Sequence, residues 1–363
     1  MSTPFRWGLL GAGDVAVNFA RSVQLLPDHR VAVVASRSAA RAGAAAEALG
    51  VARTCTDYGA LVADADIDAV YIATPAALHR DHVALALRAG TQVLCEKPFT
   101  VTGAEARALA DLARATGTFC MEAMWMRFIP AIQALKARID AGEIGTVRMI
   151  RGELGFPVPY DPKSRFFDKG LGGGALLDLG IYPLSLAWYL LGAPVAGQMM
   201  VSPAPTGVDA QAVINLRFEG GALAQLAASF NQRLGNAAVV TGTHGSIALD
   251  PPIFAPERLT LTTSPPPEPG GGTGQGGRLS RLSQTHPALI GLRRRHAPLL
   301  RQLVRHERSA RGYPFKGHGY QFEAAEVARC ARAGLTESPV MPLSETVAIL
   351  ECLDILRDKR QFG

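Results

Sequence analysis

The chain is poor in the features that direct a protein out of the cell or into a membrane. Its five cysteines, at 55, 95, 120, 330 and 352 of 363 residues, form no C-x-x-C and no paired spacing that would hold a metal. That usage argues against a disulfide framework or a zinc site and fits a reducing, cytoplasmic setting; we expect no metal. No run approaches the roughly 18–20 uninterrupted apolar residues of a membrane span. The first strand-like run starts at Phe5, which leaves no room for a secretory leader, and none is expected. Aromatic residues make up 7% and charged residues 19%, against 48% hydrophobic, a globular rather than disordered composition.

Charge of one sign is also scarce over most of the length. The net value is +6, yet ten of the 37 lysines and arginines fall between Arg278 and Lys316, where Glu307 is the sole acid. The remaining chain carries 27 basic and 30 acidic residues. A basic cluster without a nucleic-acid motif and with few aromatics reads as a solvated helix, so no nucleic acid partner is expected. Leu289, Leu292, Leu299, Leu300 and Leu303 suggest that helix over 278–311, interrupted at Pro298. The preceding stretch, PPPEPGGGTGQGG at 265–277, predicts a mobile loop.

What is present begins at once. At this length two domains are expected. The first 120 residues alternate apolar strand-like runs with helical patterns, the mark of a parallel sheet wound by helices. Phe5–Leu10 leads into Gly11-Ala12-Gly13-Asp14-Val15-Ala16 and then a helical run, a G-x-G-x-x-A between strand and helix. Gly11 permits the tight turn, Gly13 lets the backbone approach a pyrophosphate, and Ala16 lets helix pack on strand. The second strand, Val31–Ala35, selects the cofactor. An NAD site normally follows this strand with Asp or Glu; here stand Ser36 and Arg37, with Arg41 a helical turn on. A guanidinium suits a 2′-phosphate, so the expected cofactor is NADP. A third strand, Ala69–Ala73, ends in Thr74-Pro75 and a helix carrying His79, which we expect near the cofactor. A fourth, Val93-Leu94-Cys95, ends in Glu96-Lys97-Pro98. In an open parallel sheet, ligands bind outside these carboxyl ends.

These motifs, with Met121-Glu122-Ala123-Met124-Trp125-Met126-Arg127-Phe128, Gly172 to Pro183, and Gly319-Tyr320-Gln321-Phe322-Glu323, resemble the Gfo/Idh/MocA oxidoreductases. Gly334-Leu335-Thr336-Glu337-Ser338-Pro339 points the same way. The likeness runs over residues 5–260 and 317–360, and leans to the branch of dimeric dihydrodiol dehydrogenases, NADP-dependent D-xylose dehydrogenases and glucose–fructose oxidoreductases. It implies an α/β fold: a doubly wound Rossmann sheet, then an α/β domain with a large, mostly antiparallel open sheet. The expected boundaries are 1–122, 123–345 with an insertion near 264–312, and a C-terminal helix over 346–363 returning to the first domain. The alternation of Ile214, Leu216 and Phe218 with Val213, Asn215 and Arg217 independently predicts a half-buried hairpin strand.

The resemblance further implies a cis Pro98 and a homodimer. Asp178 and Tyr182 are four apart, so on a helix they share a face, and the glycines before them let backbone approach a ligand. A nearby ammonium would lower the phenol pKa into a useful range for base catalysis, and Lys97 is the candidate. The expected catalytic residues are Lys97, Asp178 and Tyr182, with Trp125, Phe128 and Phe156 as an apolar substrate wall. Arg127 and Arg165 read as surface or structural ion pairs. The expected reaction is NADP-dependent hydride transfer on an aldose sugar, polyol or cyclic trans-diol. Two alternatives stay open: a non-catalytic NADP-sensing regulator on the same fold, and an NAD-dependent inositol or sugar dehydrogenase.

Overall fold

The computed structural model describes residues 3–263 and 308–363; the Pro/Gly-rich stretch 265–277 and the expected basic helix up to residue 307 lie outside the described residues. Eleven elements build the first sheet and its covering: β1 (Phe5–Leu10), α1 (Asp14–Val23), β2 (His29–Ala35), α2 (Ala39–Leu49), β3 (Arg53–Cys55), α3 (Tyr58–Val62), β4 (Ala69–Ile72), α4 (His79–Arg88), β5 (Gln92–Glu96), α5 (Gly103–Thr116) and β6 (Cys120–Ala123). All six strands are parallel, in the order β3-β2-β1-β4-β5-β6. Helices cover both faces, so every residue of β4 and β6 is buried, as sheets of this kind require. The helix ends follow local chemistry. Ser38 caps α2 and Thr102 caps α5 by accepting from the amides of Arg41 and Glu105. The strand order reverses between β1 and β4, which opens a crevice at their carboxyl ends.

A 3₁₀ turn at Trp125–Phe128 leads into the second part. It contains α6 (Pro130–Asp140), β7 (Val147–Gly155), α7 (Ile181–Leu191), β8 (Pro194–Pro203), β9 (Asp209–Phe218), β10 (Leu223–Ser229), β11 (Ala238–Gly242), β12 (Gly245–Leu249), β13 (Arg258–Thr263), β14 (Arg308–Gly312), α8 (Tyr320–Arg332), α9 (Leu343–Lys359) and β15 (Gln361–Phe362). Among the described residues nine strands form one open sheet, β14-β13-β12-β11-β7-β10-β9-β8-β15, in which β7 and β10 alone pair in parallel. On β9, Ile214, Leu216 and Phe218 are buried, as their alternation predicts. Arg308–Gly312 corrects the helical reading of that stretch: it is an exposed strand on β13. Its arginines carry no apolar period, and charged side chains suit a sheet edge.

The C-terminal helix lies on the first domain. Gly103 at the start of α5 donates to Asp354 at 2.6 Å, and a Cβ on Gly103 would come within 2.4 Å of the Glu351 side chain. Arg107 pairs with Glu351 and Arg357 donates to the Val101 carbonyl. The helical stretch Lys169–Leu191 is long and apolar enough to cross a membrane, but 83% of its apolar window is buried inside the protein.

Candidate active site

The crevice at the carboxyl ends of the parallel strands holds a cavity of about 470 Å³. Its floor is the turn after β1. Gly11 has φ +118°, and a Cβ there would sit 2.7 Å from the Ala73 carbonyl oxygen, so only glycine fits. No atom lies within 4 Å of where a Cβ on Gly13 would stand, leaving the backbone open to a ligand. No side chain caps the first turn of α1, and Gly13, Asp14 and Val15 face the cavity with uncapped helix amides behind them. Arg41 reaches the wall; Ser36 is buried and Arg37 exposed beyond it. This cradle fits a dinucleotide: an open turn, a positive helix end, and arginines without a competing carboxylate after β2.

Thr74, Pro75 and His79 close one side. His79 is fully enclosed, its ring nitrogens 2.9 Å from the Pro98 carbonyl oxygen and 2.8 Å from that of Thr74. Burial pushes its pKa down against the pull of these carbonyls, and the ring braces two loops. Thr74 also meets His82 at 2.9 Å, a contact the sequence reading missed. The Lys97–Pro98 peptide is cis. Gly172 to Gly174 line the opposite wall, but they answer to protein as much as to ligand. A Cβ on Gly173 would press the Phe166 carbonyl at 2.7 Å, and one on Gly174 the Asp209 carboxylate at 2.6 Å.

At the inner end Lys97 Nζ donates to the Asp178 carbonyl at 2.6 Å and lies 3.3 Å from its Oδ1. Arg165 meets the same oxygen at 3.3 Å. Burial raises the Asp178 carboxyl, the two cations outweigh it, and the pKa ends below the usual range. Residues 176–180 form a π turn rather than α-helix, continuous with α7. Tyr182 therefore joins the group through the lysine, whose Nζ lies 4.8 Å from the phenol ring centroid. Here the structure corrects an expectation. The amine sits over the ring face and is engaged by Asp178, while Tyr182 is buried and near Glu96; burial first, then that carboxylate, push the phenol well above its ordinary value. The hydroxyl accepts from Trp125 Nε1 at 2.9 Å.

Trp125 and Phe156 do meet an aromatic group, through a residue the sequence reading passed over. Phe254 lies 5.4 Å from Trp125, 5.5 Å from Tyr182 and 6.5 Å from Phe156, centroid to centroid. Tyr320 packs on Trp125 at 4.7 Å. These rings, like Ser36 and Arg37, are not part of the 470 Å³ cavity wall. Phe128 is buried in the core. Arg127 has no exposure and pairs with Glu345 at 2.7 Å, a structural role. Glu96, fully enclosed, accepts from the Tyr71 hydroxyl and from the Lys97 amide.

Known proteins share this fold. Residues 5–124 match the oxidoreductase family with an NAD-binding Rossmann fold, and residues 132–248 the GFO/IDH/MocA C-terminal domain. A trans-1,2-dihydrobenzene-1,2-diol dehydrogenase of Mus musculus is 33% identical over 97% of this chain and 96% of its own. The Homo sapiens protein of that name is 30% identical with the same coverage. Among solved structures, the aldose-aldose oxidoreductase from Caulobacter crescentus, complexed with glycerol, superposes with a TM-score of 0.80 at 21% identity, covering 99% of both chains. A levoglucosan dehydrogenase in complex with NADH and levoglucosan gives 0.79 at 21% identity, covering 99% of this chain and 97% of that one. The KijD10 3-ketoreductase from Actinomadura kijaniata, with NADP and TDP-benzene, gives 0.74 at 24% identity, covering 98% and 97%. With a glycine cradle at the switch point, a lysine–carboxylate pair at the end of β5 and family matches across both domains, the chain belongs to the Gfo/Idh/MocA family of NAD(P)-dependent oxidoreductases.

Proposed function

We propose that this oxidoreductase uses NADP to interconvert a secondary alcohol and a carbonyl on an aldose sugar, a polyol or a cyclic trans-diol. The observation that carries the reading is the pairing of Lys97 and Asp178 on the wall of the glycine-floored cavity, with the buried Tyr182 ring 4.8 Å from the lysine Nζ behind it. Relatives named for a dihydrodiol, and structural neighbours named for an aldose and for levoglucosan, support a substrate with neighbouring oxygens. Neighbours hold NADP or NADH; Ser36 and Arg37 in place of a carboxylate support NADP here.

Gly11, Ala12, Gly13, Asp14 and Val15 would hold the diphosphate, and Ser36, Arg37 and Arg41 the 2′-phosphate. Thr74, Pro75, His79, Glu96 and Lys97 would wall the nicotinamide end. When bound, that group supplies the hydride donor or acceptor. Lys97 donates to the substrate oxygen and stabilises negative charge there, held in place by Asp178. Tyr182, a neutral phenol in its buried setting, gives its proton to the carbonyl oxygen in reduction and takes one back in oxidation. Burial and Glu96 keep the proton on the phenol until the substrate oxygen takes it. Trp125 and Phe156 would meet the substrate's apolar face.

The same reading includes a homodimer through the outer face of the second sheet, where Met200 is 77%, Leu223 47% and Val195 44% exposed. Five free thiols fit a cytoplasmic setting.

A panel of polyols, sugars and aldehydes assayed with NAD and NADP tests the reaction. Turnover by the wild type and its loss in Tyr182→Phe are expected. NADPH binding without turnover across the panel would leave the sensing role instead. Arg37→Ala should weaken NADP by about ten- to a hundredfold and NAD hardly at all, since it removes a charge-assisted contact; an unchanged preference refutes the cofactor assignment.

A further inference from the structure

The turn that presents Lys97 is held by more than its own sequence. β5 ends at Glu96, and the next three residues leave the sheet. Pro98 has no N–H, so Lys97 and Phe99 supply the amides of this turn. Each donates to a buried carboxylate, Lys97 to Glu96 Oε2 and Phe99 to Glu122 Oε1, both at 3.1 Å. The Pro98 carbonyl oxygen meets His79 Nδ1 at 2.9 Å. Three successive residues are thus gripped by side chains of β5, α4 and β6, while the ammonium itself reaches the Asp178 carbonyl.

Glu122 is the member of this set that the reaction above does not use. It is 1% exposed, on a strand buried throughout, where a carboxylate is costly unless its oxygens are met. Both are met: Oε1 by the Phe99 amide, Oε2 by the Thr346 hydroxyl at 3.0 Å. Thr346 is itself fully buried, on α9, 224 residues further along the chain. The same helix takes hold again just past the turn. Arg357 donates to the Val101 carbonyl at 3.1 Å, and Asp354 accepts from the Gly103 amide at 2.6 Å. An apolar side chain at 122 would fill the space and leave the Phe99 amide without its acceptor. What the carboxylate adds is direction: one oxygen aimed at an amide two residues from the lysine.

We propose that Glu122 is a positioning residue for Lys97, bridging the Phe99 amide to Thr346 so that the C-terminal helix fixes where the ammonium stands. The inference rests on the role given to Lys97 above. Lys97 meets the substrate oxygen; Glu122 touches neither substrate nor cofactor and acts through the backbone of the turn. A displacement of the reacting groups by about 1 Å is enough to lose about a hundredfold in rate. The diphosphate cradle after β1 takes no part in the bridge. Loosening the bridge therefore lowers kcat and spares cofactor binding.

Thr346→Val removes one end of the bridge with little change of shape, and Glu122→Leu removes both. Rates are counted per NADPH-binding site, so that misfolded protein drops out. With a carbonyl compound that the wild type reduces, kcat should fall about three- to tenfold in Thr346→Val and about ten- to a hundredfold in Glu122→Leu. The substrate KM and the Kd for NADPH should hold within about twofold. Thr346→Ser and Glu122→Gln, which keep a hydroxyl and an acceptor oxygen, should recover most of the loss. Amide hydrogen exchange at Phe99 should quicken in Thr346→Val, while that of β1 and β4 stays as in the wild type. Should Glu122→Leu fail to fold, Thr346→Val decides alone. Wild-type kcat in Thr346→Val, or a loss that Thr346→Ser does not recover, overturns the proposal. Lys97→Met separates the two ideas. An inactive Lys97→Met beside an unimpaired Thr346→Val refutes the positioning role alone, whereas wild-type rates in Lys97→Met refute the role of the lysine on which it rests.

Discussion

β4 and β9 belong to the same chain, and every residue of β4 is buried while β9 buries every second one. The first sheet is parallel and sandwiched between helices, so its strands offer no face to a ligand, only their ends. The second is mostly antiparallel, with α7 on its inner side and residues such as Met200 and Arg217 on its outer one. The difference separates tasks in the proposed reading: chemistry at the carboxyl ends of one sheet, association on the broad open surface of the other.

The comparison can be broken most directly at Lys97. Lys97→Met should lower kcat/KM by about 10²–10⁴-fold, the span of a lost charge-stabilising or acid–base group, with a small change in stability. Arg217→Met on the outer face of the second sheet should leave the same kinetics untouched. Equal losses from both would end the division of labour.

A second break lies at Glu122 on β6. It is buried, accepts from the Phe99 amide and the Thr346 hydroxyl, and burial pushes its pKa from 4.5 up to about 7. The folded chain therefore keeps a proton that the unfolded chain loses. Stability from this group is full below pH 4.5, falls as pH rises towards 7 and is flat above. The drop is about 3 kcal/mol by linkage. Urea unfolding at a series of pH values should reveal that slope, and Glu122→Gln should remove it.

The same substitution on the two sheets sharpens the contrast. Val70→Ala, at a fully buried site, should cost about 1.5–3 kcal/mol, whereas Val213→Ala, half-buried on β9, should cost less than about 1. A large loss at Val213 would mean that a second copy covers the outer face. The smallest effect is expected from Met200→Asp: within about 0.5 kcal/mol of wild type in monomer stability, with dissociation of the proposed dimer in sedimentation.

Much of the fold was legible because its signals are local. The first strand with its glycine turn and the alternation on β9 each reside in a handful of neighbouring residues. The site was legible only where chemistry and sequence coincide, as at Glu96-Lys97-Pro98. The spacing of Asp178 and Tyr182 suggested a shared helical face, but the chain runs through a π turn there and the lysine joins them. The direction of the phenol shift was illegible. It depends on burial and on Glu96, whose distance from Tyr182 no spacing rule encodes. Phe254 follows two prolines with no period to mark it. Tyr320 stood in a motif noticed for its likeness alone.

Arg127 ties these regions together in time as well as space. Its guanidinium, wholly enclosed, is held by Ser185 on α7, by the Val340 carbonyl and by Glu345. Two of those partners, Val340 and Glu345, leave the ribosome 213 and 218 residues after Arg127. Until they arrive, the turn bearing Trp125 has a cation with half its escort missing, a penalty of several kcal/mol if buried early. The turn beside Tyr182 thus depends on a distant part of the chain, and a chain shortened before Val340 would leave the Arg127 guanidinium without two of its partners.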